Sequence, residues 1–157
     1  MKKGFSCLVL WLIFVFAFFL RFYKLGSLLS LFGDEVDIGY QAYSLLKTGK
    51  DVIGHLLPIY LDTIIDTKTP LLAYFSTVPI FFLGLNEFSI RLIPAVCGSL
   101  SILLIFLISE ELFENKMVSL FSALVMASTP WMIHYSRGTF EMSLMFFFTS
   151  FGNLHFF

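Results

Sequence analysis

The sequence predicts an all-α fold, a polytopic membrane helical bundle with amphipathic juxtamembrane helices in its first outer loop. Of its 157 residues, 58% are hydrophobic, whereas a soluble globular domain is about 45–50% apolar. The mean hydropathy is +0.88, and several apolar stretches approach the ~20 residues that a helix needs to cross a bilayer. The first two of these stretches are separated by residues 24–87, the predicted outer loop.

The first predicted span is Phe5–Tyr23, a run built mainly of Phe, Leu and Trp. It exceeds the lower limit of ~17 residues for a span. Lys2 and Lys3 precede it, and Arg21 near its end can extend its charged head to the membrane surface. A cleaved signal peptide is the weaker interpretation, because no small-residue cleavage site follows the run.

The outer loop opens with Gly33–Gly49, which has the periodicity of an amphipathic helix. Polar residues form one stripe at helical spacing: Asp34, Asp37, Gln41, Ser44 and Thr48. Apolar residues form one flank of Val36, Tyr40, Tyr43 and Leu46 and another of Ile38, Ala42 and Leu45. This pattern predicts a helix that lies in the membrane interface and stops near Lys47 and Gly49.

A polar, irregular segment, Lys50–Thr69, leads to a second predicted short helix, Pro70–Gly84. Pro70 suits a first helical turn, Pro79 is expected to bend or break the helix, and Gly84 ends it. At 1.5 Å per residue, about 14 residues cover roughly 21 Å, short of the ~30 Å bilayer core. An interfacial or re-entrant helix is therefore expected, with a tilted full span as the alternative.

Two further spans and the start of a fourth follow. Phe88–Leu107 and Met117–Tyr135 are separated by the polar turn "SEELFENK", and after the turn "SRGTFE" an incomplete span occupies 142–157. No polar tail or anchoring charge closes this last segment. We therefore expect residues 1–157 to be the amino-terminal part of a longer polytopic protein.

The lysines bear on orientation and on lipid contact. Lys2 and Lys3 favour a cytoplasmic amino terminus by the positive-inside rule, which places the loop and the "SRGTFE" turn outside. Three loop lysines then lie outside against that bias: Lys47, Lys50 and Lys68. Basic side chains at a membrane surface can hold a lipid phosphate, so membrane lipids are expected partners.

Charge and cysteine content exclude other classes of protein. The formal net charge of -1 gives no basic surface for nucleic acid. Cys7 and Cys97 both sit in apolar runs, where inert packing is a better interpretation than a disulfide, and no metal-ligand spacing occurs.

Ionisable residues gather at the predicted outer face: Asp34, Glu35, Asp66, Lys68, Arg137 and Glu141. Ionisable groups at membrane depth are costly and usually functional. We therefore predict that Asp34, Lys68, Arg137 and Glu141 face a common cavity.

Most of these residues also have a purely structural interpretation. Asp34 at a helix N-cap accepts backbone hydrogen bonds worth about 1 kcal/mol. Glu35 and Asp37 in the first turn suit the helix dipole. Lys68 and Arg137, taken singly, are explained by interfacial anchoring.

Four segments in order carry a family resemblance: "DEVDIGYQAYSLLKTGKD", "DTKTPLLAY", "GLNEFSIRLIPAVCG" and "SRGTFE". Together they resemble bacterial glycosyltransferases of the GT-C class, relatives of the dolichyl-phosphate-mannose protein mannosyltransferases and of the lipid A aminoarabinose transferase. The resemblance covers nearly the whole chain after the first span. Members are several times longer, so the chain corresponds to their amino-terminal third or less and is expected to be inactive alone.

The resemblance implies transfer of a sugar from a polyprenyl phosphate to a hydroxyl of a lipid, glycan or protein, with inversion. The site would face outward from the plasma membrane of a bacterium. Asp34 resembles the general base and Glu35 its supporting partner. Lys68, joined by Arg137, resembles the group that neutralises the donor phosphate.

Further residues are assigned supporting roles by the same resemblance: Asp66, Glu141 and Tyr40. Tyr40 and Tyr43 would line the acceptor side, although aromatic packing is the better interpretation of both. Metal use varies in the family, so no cofactor is fixed and a divalent cation stays open.

A second hypothesis is a small non-enzymatic membrane protein, such as a transporter subunit or an assembly factor. Transporters place charges in broken helices near the membrane midplane. The charges here cluster at one interface, which favours the transferase.

Overall fold

A computed structural model of the chain describes residues 3–27, 30–62 and 67–156. Within them the elements in chain order are α1 (Lys3–Phe22), α2 (Gly33–Thr48), β1 (Leu61–Asp62), β2 (Thr67–Lys68), α3 (Leu71–Leu83), α4 (Glu87–Phe113), α5 (Lys116–Ser128), α6 (Pro130–Arg137) and α7 (Glu141–Phe156). The predicted all-α membrane bundle is confirmed. The chain forms two compact units, here called the bundle unit (Met1–Tyr23 with Pro94–Phe157) and the loop unit (Lys24–Ile93).

Two of the described helices, α1 and α4, are long and apolar enough to cross a membrane. They match the first two predicted spans, but α4 continues to Phe113. Most of the predicted turn "SEELFENK" is therefore helical, because Glu and Leu are strong helix formers. The chain turns only at Glu114, whose φ of 48° is left-handed.

The third predicted span, Met117–Tyr135, is not one straight helix. It divides at Thr129 into α5 and α6, which meet at 56°. Pro130 has no N–H to donate to the carbonyl four residues earlier, and its ring crowds that turn. Pro130 is the signal for this break in the sequence, whereas the length of the apolar run alone predicts a single span.

Arg21 satisfies the carbonyls that this break leaves open. Its Nη2 donates to the Met126 carbonyl at 3.4 Å, and its Nη1 donates to the Ala127 carbonyl at 3.3 Å. The side chain is fully buried, so the predicted snorkelling of Arg21 to the membrane surface is wrong. A cation is favourable here because the carboxyl end of a helix carries partial negative charge.

The core of the bundle unit lies where α1, α4 and α5 meet. Buried members of this core are Ile13, Ala17, Ile102, Phe106, Leu120, Ala123, Met126 and Ala127. The three alanines are completely buried, and such small side chains let membrane helices approach closely. Outward-facing side chains of α1, such as Trp11 and Phe19, are exposed, as expected for a lipid-facing surface.

The loop unit is organised around α2 and α3. The predicted helix Gly33–Gly49 is found as α2, and Gly49 ends it with a left-handed φ of 68°. Ile38, Ala42 and Leu45 are buried, and α2 packs against α3.

The polar stripe of α2 does not simply face water. Gln41 is buried; its Oε1 accepts from the Val52 N–H at 3.1 Å, and its Nε2 donates to the Asp62 carbonyl at 3.2 Å. Ser44 Oγ donates to the Asp51 carbonyl at 3.3 Å. The stripe therefore holds the irregular segment that follows the helix, while Tyr40 on the apolar flank is exposed.

The second short helix, α3, has the predicted limits and runs through Pro79 without a break, so a break at this proline is wrong. Its buried residues recur at helical spacing: Leu72, Ala73, Ser76, Pro79 and Ile80. Packing of this face stabilises the helix against the loss of one backbone hydrogen bond. With 13 residues, α3 is too short to cross the bilayer core, and tilting it would shorten its reach further, so the tilted full span is not supported.

The predicted topology places α2 on the outer side of the membrane. In a background with Cys7 and Cys97 replaced by serine, a cysteine at the exposed position Lys47 should react with an impermeant maleimide added to intact cells. Reaction only after the membrane is permeabilised would contradict this orientation. A cysteine at Asn115, in the turn between α4 and α5, is the matched control and should show the opposite behaviour.

Candidate functional site

The acidic pair opens α2, but Asp34 is not its N-cap. The N-cap is Phe32, and Glu35 accepts a hydrogen bond from the Phe32 backbone N–H at 3.4 Å. Asp34 is the second residue of the helix. The capping interpretation of Asp34 is therefore wrong, and the capping contact belongs to Glu35.

Asp34 forms an ion pair with Lys68. The ammonium Nζ lies 2.8 Å from Asp34 Oδ1 and 3.0 Å from Asp37 Oδ2, one helical turn further on. Asp34 and Asp37 are three apart in α2, so they share one face of the helix. The two-residue ladder of β1 and β2, with Leu61 opposite Lys68, carries the lysine to this face.

The two partners differ in accessibility. The Lys68 side chain is 15% exposed, whereas that of Asp34 is 58% exposed. Within the part of the chain that the structure describes, Asp34 Oδ2 accepts no hydrogen bond. A molecule approaching from outside can therefore reach the carboxylate of Asp34 more easily than the ammonium.

Lys68 is a cation and not a base at neutral pH. Partial burial alone would lower the pKa of Lys68, but the contacts with Asp34 and Asp37 outweigh it and raise the pKa above the ordinary 10.5. The stability that the Lys68 ammonium gains from this interaction is fully present at pH values below 10.5. It is lost only as the pH rises through the higher pKa of Lys68 in the folded state.

Glu35 points away from Asp34 into a closed contact with Arg91. Arg91 Nε lies 2.9 Å from Glu35 Oε1 and Nη2 lies 2.7 Å from Oε2, a bidentate pair. Arg91 Nη1 also donates to the Leu25 carbonyl at 3.0 Å. Both side chains are only 4% exposed, so Glu35 supports the start of α2 and does not share an open site with Asp34.

Sequence reasoning missed Arg91 as a member of this site. Arg91 lies in the segment "GLNEFSIRLIPAVCG" but was not among the predicted site residues. The available signal was the position of an arginine in the apolar run "IRLIPAV", where a buried cation needs an acidic partner.

The other predicted site residues have different surroundings. In the bundle unit, Arg137 Nη1 donates to the Leu20 carbonyl and Nη2 to the Tyr23 carbonyl, both at 2.9 Å. Glu141 opens α7, and its Oε1 is buried without a hydrogen bond from the described residues. Tyr40 is exposed on α2, and Asp66 lies outside the described residues.

The structure thus brings Asp34 and Lys68 together, as predicted. Arg137 and Glu141 belong to the bundle unit, so the cavity common to all four stays a prediction. Across 3–27, 30–62 and 67–156, no three His, Cys, Asp or Glu side chains are grouped as metal ligands would be. The open question of a divalent cation stays untested.

Comparison with known proteins finds similarity from β2 to α7. A family model described as dolichyl-phosphate-mannose-protein mannosyltransferase matches residues 67–156, more than half of the chain. The matched region includes Lys68, Arg91, Arg137 and Glu141. No curated protein and no solved structure matches the chain.

Proposed function

The chain belongs to the dolichyl-phosphate-mannose-protein mannosyltransferase family, and from this premise we propose that it serves transfer of a sugar from a polyprenyl-phosphate donor to an acceptor hydroxyl. The acceptor is a lipid, a glycan or a protein. The reaction takes place at the outer face of a bacterial plasma membrane. Membership makes the chain mannosyltransferase-like and membrane-bound; the donor, acceptor and location are the proposal.

One observation carries this proposal: an accessible carboxylate and a fixed cation lie 2.8 Å apart at the start of α2. The reaction needs a group that takes the acceptor proton and a positive charge beside the phosphate that leaves. Asp34 and Lys68 have these two properties.

Asp34 is the general base in this proposal. Lys68 holds Oδ1 and so fixes the direction of the carboxylate, which leaves Oδ2 for the hydroxyl of the acceptor. As the hydroxyl oxygen attacks the anomeric carbon, its proton passes to Asp34. The bond between the anomeric carbon and the phosphate oxygen breaks on the opposite side, so polyprenyl phosphate leaves and the configuration inverts.

Lys68 stabilises the donor phosphate. An ammonium has three N–H donors; Asp34 accepts one of them, and Asp37 lies beside the ammonium as an ion pair at 3.0 Å. In this proposal, an N–H that no described residue engages binds a phosphate oxygen before and after transfer. Glu35 and Arg91 act behind this pair by fixing the first turn of α2.

Arg137 is the weaker candidate for a second phosphate ligand. Its two terminal nitrogens already bind carbonyls near the end of α1. Anchoring of α6 explains these contacts, and a role toward phosphate would require their exchange.

The proposal is tested with the full-length product of the gene in proteoliposomes. Polyprenyl-phosphate mannose labelled in the sugar should lose its label to an acceptor extract and release an equal amount of polyprenyl phosphate. GDP-mannose without lipid carrier is the control donor and should give no transfer. Direct use of GDP-mannose, or no transfer from any lipid-linked sugar, would contradict the proposal, and the second result would favour a non-enzymatic role.

Replacement of Lys68 by alanine should weaken donor binding as well as turnover, because the phosphate is charged throughout the reaction. Steady-state assays against donor concentration should show a higher KM together with a lower kcat. Lys47→Ala is the matched control, since Lys47 also lies on the loop unit but contacts the Tyr43 ring. A Lys68→Ala protein with an unchanged donor KM would remove the lysine from the phosphate site.

A further inference from the structure

The segment that follows α2 exposes a run of large apolar side chains, here called the apolar loop: Val52, Ile53, Leu56, Leu57, Ile59 and Tyr60. Their exposed fractions range from 52 to 79%. The sequence prediction described Lys50–Thr69 only as polar and irregular. A surface patch of this kind usually marks a binding or membrane surface.

The apolar loop has a fixed backbone. Asp51 is buried, and its Oδ1 accepts from the N–H groups of Gly54 at 2.6 Å and His55 at 2.7 Å. The Leu57 N–H donates to the Gly49 carbonyl at 2.9 Å. Tyr74 on α3 donates to the Pro58 carbonyl at 3.1 Å, so the loop is fastened at both ends.

The carboxylate of Asp51, which holds the backbone of the apolar loop at Gly54 and His55, is charged at neutral pH. Burial alone would raise the pKa of Asp51, but hydrogen bonds from His55 and Gly54 outweigh it and lower the pKa. The loop therefore presents its apolar side chains in a defined arrangement instead of folding them inward.

Leu57 is the clearest example of an apolar side chain in this loop that does not pack within the loop unit. Its φ of 44° is in the left-handed region, which a residue with a Cβ rarely adopts. Its side chain is nevertheless exposed. The strained backbone directs a large apolar group outward, toward a surface that is not part of the described chain.

The border of the loop on the α2 side is basic. Lys47 and Lys50 are exposed, and neither forms an ion pair with a carboxylate of the described residues. Asp51, the acidic residue between them and the loop tip, is buried. Apolar side chains beside lysines that have no carboxylate partner among the described residues complement a bilayer with anionic phospholipids.

The loop unit is also joined directly to a membrane-spanning helix. The first residues of the membrane-spanning helix α4, up to Ile93, belong to the loop unit. We propose that the apolar loop inserts into the membrane interface, with Lys47 and Lys50 at the level of anionic phospholipid phosphates. This inference does not depend on sugar transfer.

Spin labelling of the full-length protein tests the insertion. In the Cys7→Ser, Cys97→Ser background, a nitroxide is attached at Ile53→Cys, and the protein is placed in vesicles of phosphatidylcholine with phosphatidylglycerol. Oxygen concentrates in lipid, whereas a nickel chelate stays in water. The ratio of oxygen to nickel accessibility should be several-fold higher at Ile53 than at Thr69→Cys, an exposed polar position in the same unit.

The alternatives give distinct results. A label at Ile53 with the ratio found at Thr69 would place the loop in water and overturn the proposal. A label shielded from both reagents would place the loop against protein, with the same consequence.

Vesicle composition tests the role of the lysines. Omission of phosphatidylglycerol should lower the ratio at Ile53, and Lys47→Ala with Lys50→Ala should remove this dependence. If the accessibility ratio at Ile53 is the same with and without phosphatidylglycerol, the placement of the lysines at lipid phosphates is wrong.

Discussion

We expect Asp34→Asn to lower sugar transfer by the full-length protein by about 10²- to 10⁴-fold, the usual contribution of a general base. The amide has the shape of the carboxylate but cannot accept the proton of the acceptor. Stability should change little, because Asp34 is 58% exposed and Lys68 keeps Asp37 as a second carboxylate partner. Asp34 is also not the N-cap of α2, so no capping hydrogen bond is lost.

The measurement is transfer from polyprenyl-phosphate mannose, with unfolding temperature recorded on the same preparations. Asp37→Asn is the matched control, because Asp37 contacts the same ammonium but its side chain is only 29% exposed. It should reduce transfer far less than Asp34→Asn. Near-normal turnover in Asp34→Asn would end the catalytic interpretation, and equal losses in both variants would assign the effect to Lys68.

The second large effect is expected at the pair of Glu35 and Arg91, and it concerns stability. Replacement of Arg91 by methionine leaves the Glu35 carboxylate buried without its cation. Removing one partner of a buried ion pair typically costs about 3–5 kcal/mol. Both side chains are 4% exposed, so solvent cannot compensate.

A double-mutant cycle with Glu35→Gln and Arg91→Met measures this coupling by denaturant unfolding in detergent micelles. The double variant should recover much of the loss, because neither buried charge remains. Lys116→Met is the control, since Lys116 and Glu110 lie 3.6 Å apart with both side chains 36% exposed. That control should cost at most about 1 kcal/mol.

An Arg91→Met protein as stable as Lys116→Met would show that the pair is hydrated. Both variants at this pair should also lose sugar transfer, because Glu35 holds the first turn of α2. This differs from Asp34→Asn, which should lose transfer without losing stability. The two sets of variants thus separate the proton acceptor from the residues that position it.

Length and hydropathy were enough to predict where most helices lie. The limits of α1, α2 and α3 follow from apolar run length, a polar stripe at helical spacing and the glycines Gly49 and Gly84. These signals are local, and a helix closes its backbone hydrogen bonds within four residues. These signals failed at prolines, whose effect depends on the packing around them. Pro130 breaks a helix, whereas Pro79 is tolerated in a packed one.

The sequence by itself determined that this is a helical membrane protein and that Asp34, Glu35 and Lys68 are its chemically notable residues. Only the tertiary structure decided which residues they contact and how far each is buried. Asp34 meets Lys68 from 34 residues away, and Glu35 meets Arg91 from 56 away. Asp34 and Glu35 are consecutive residues of α2, so their side chains point in directions about 100° apart around the helix axis. One therefore stays accessible beside a cation, while the other is buried against an arginine that no local pattern could assign to it.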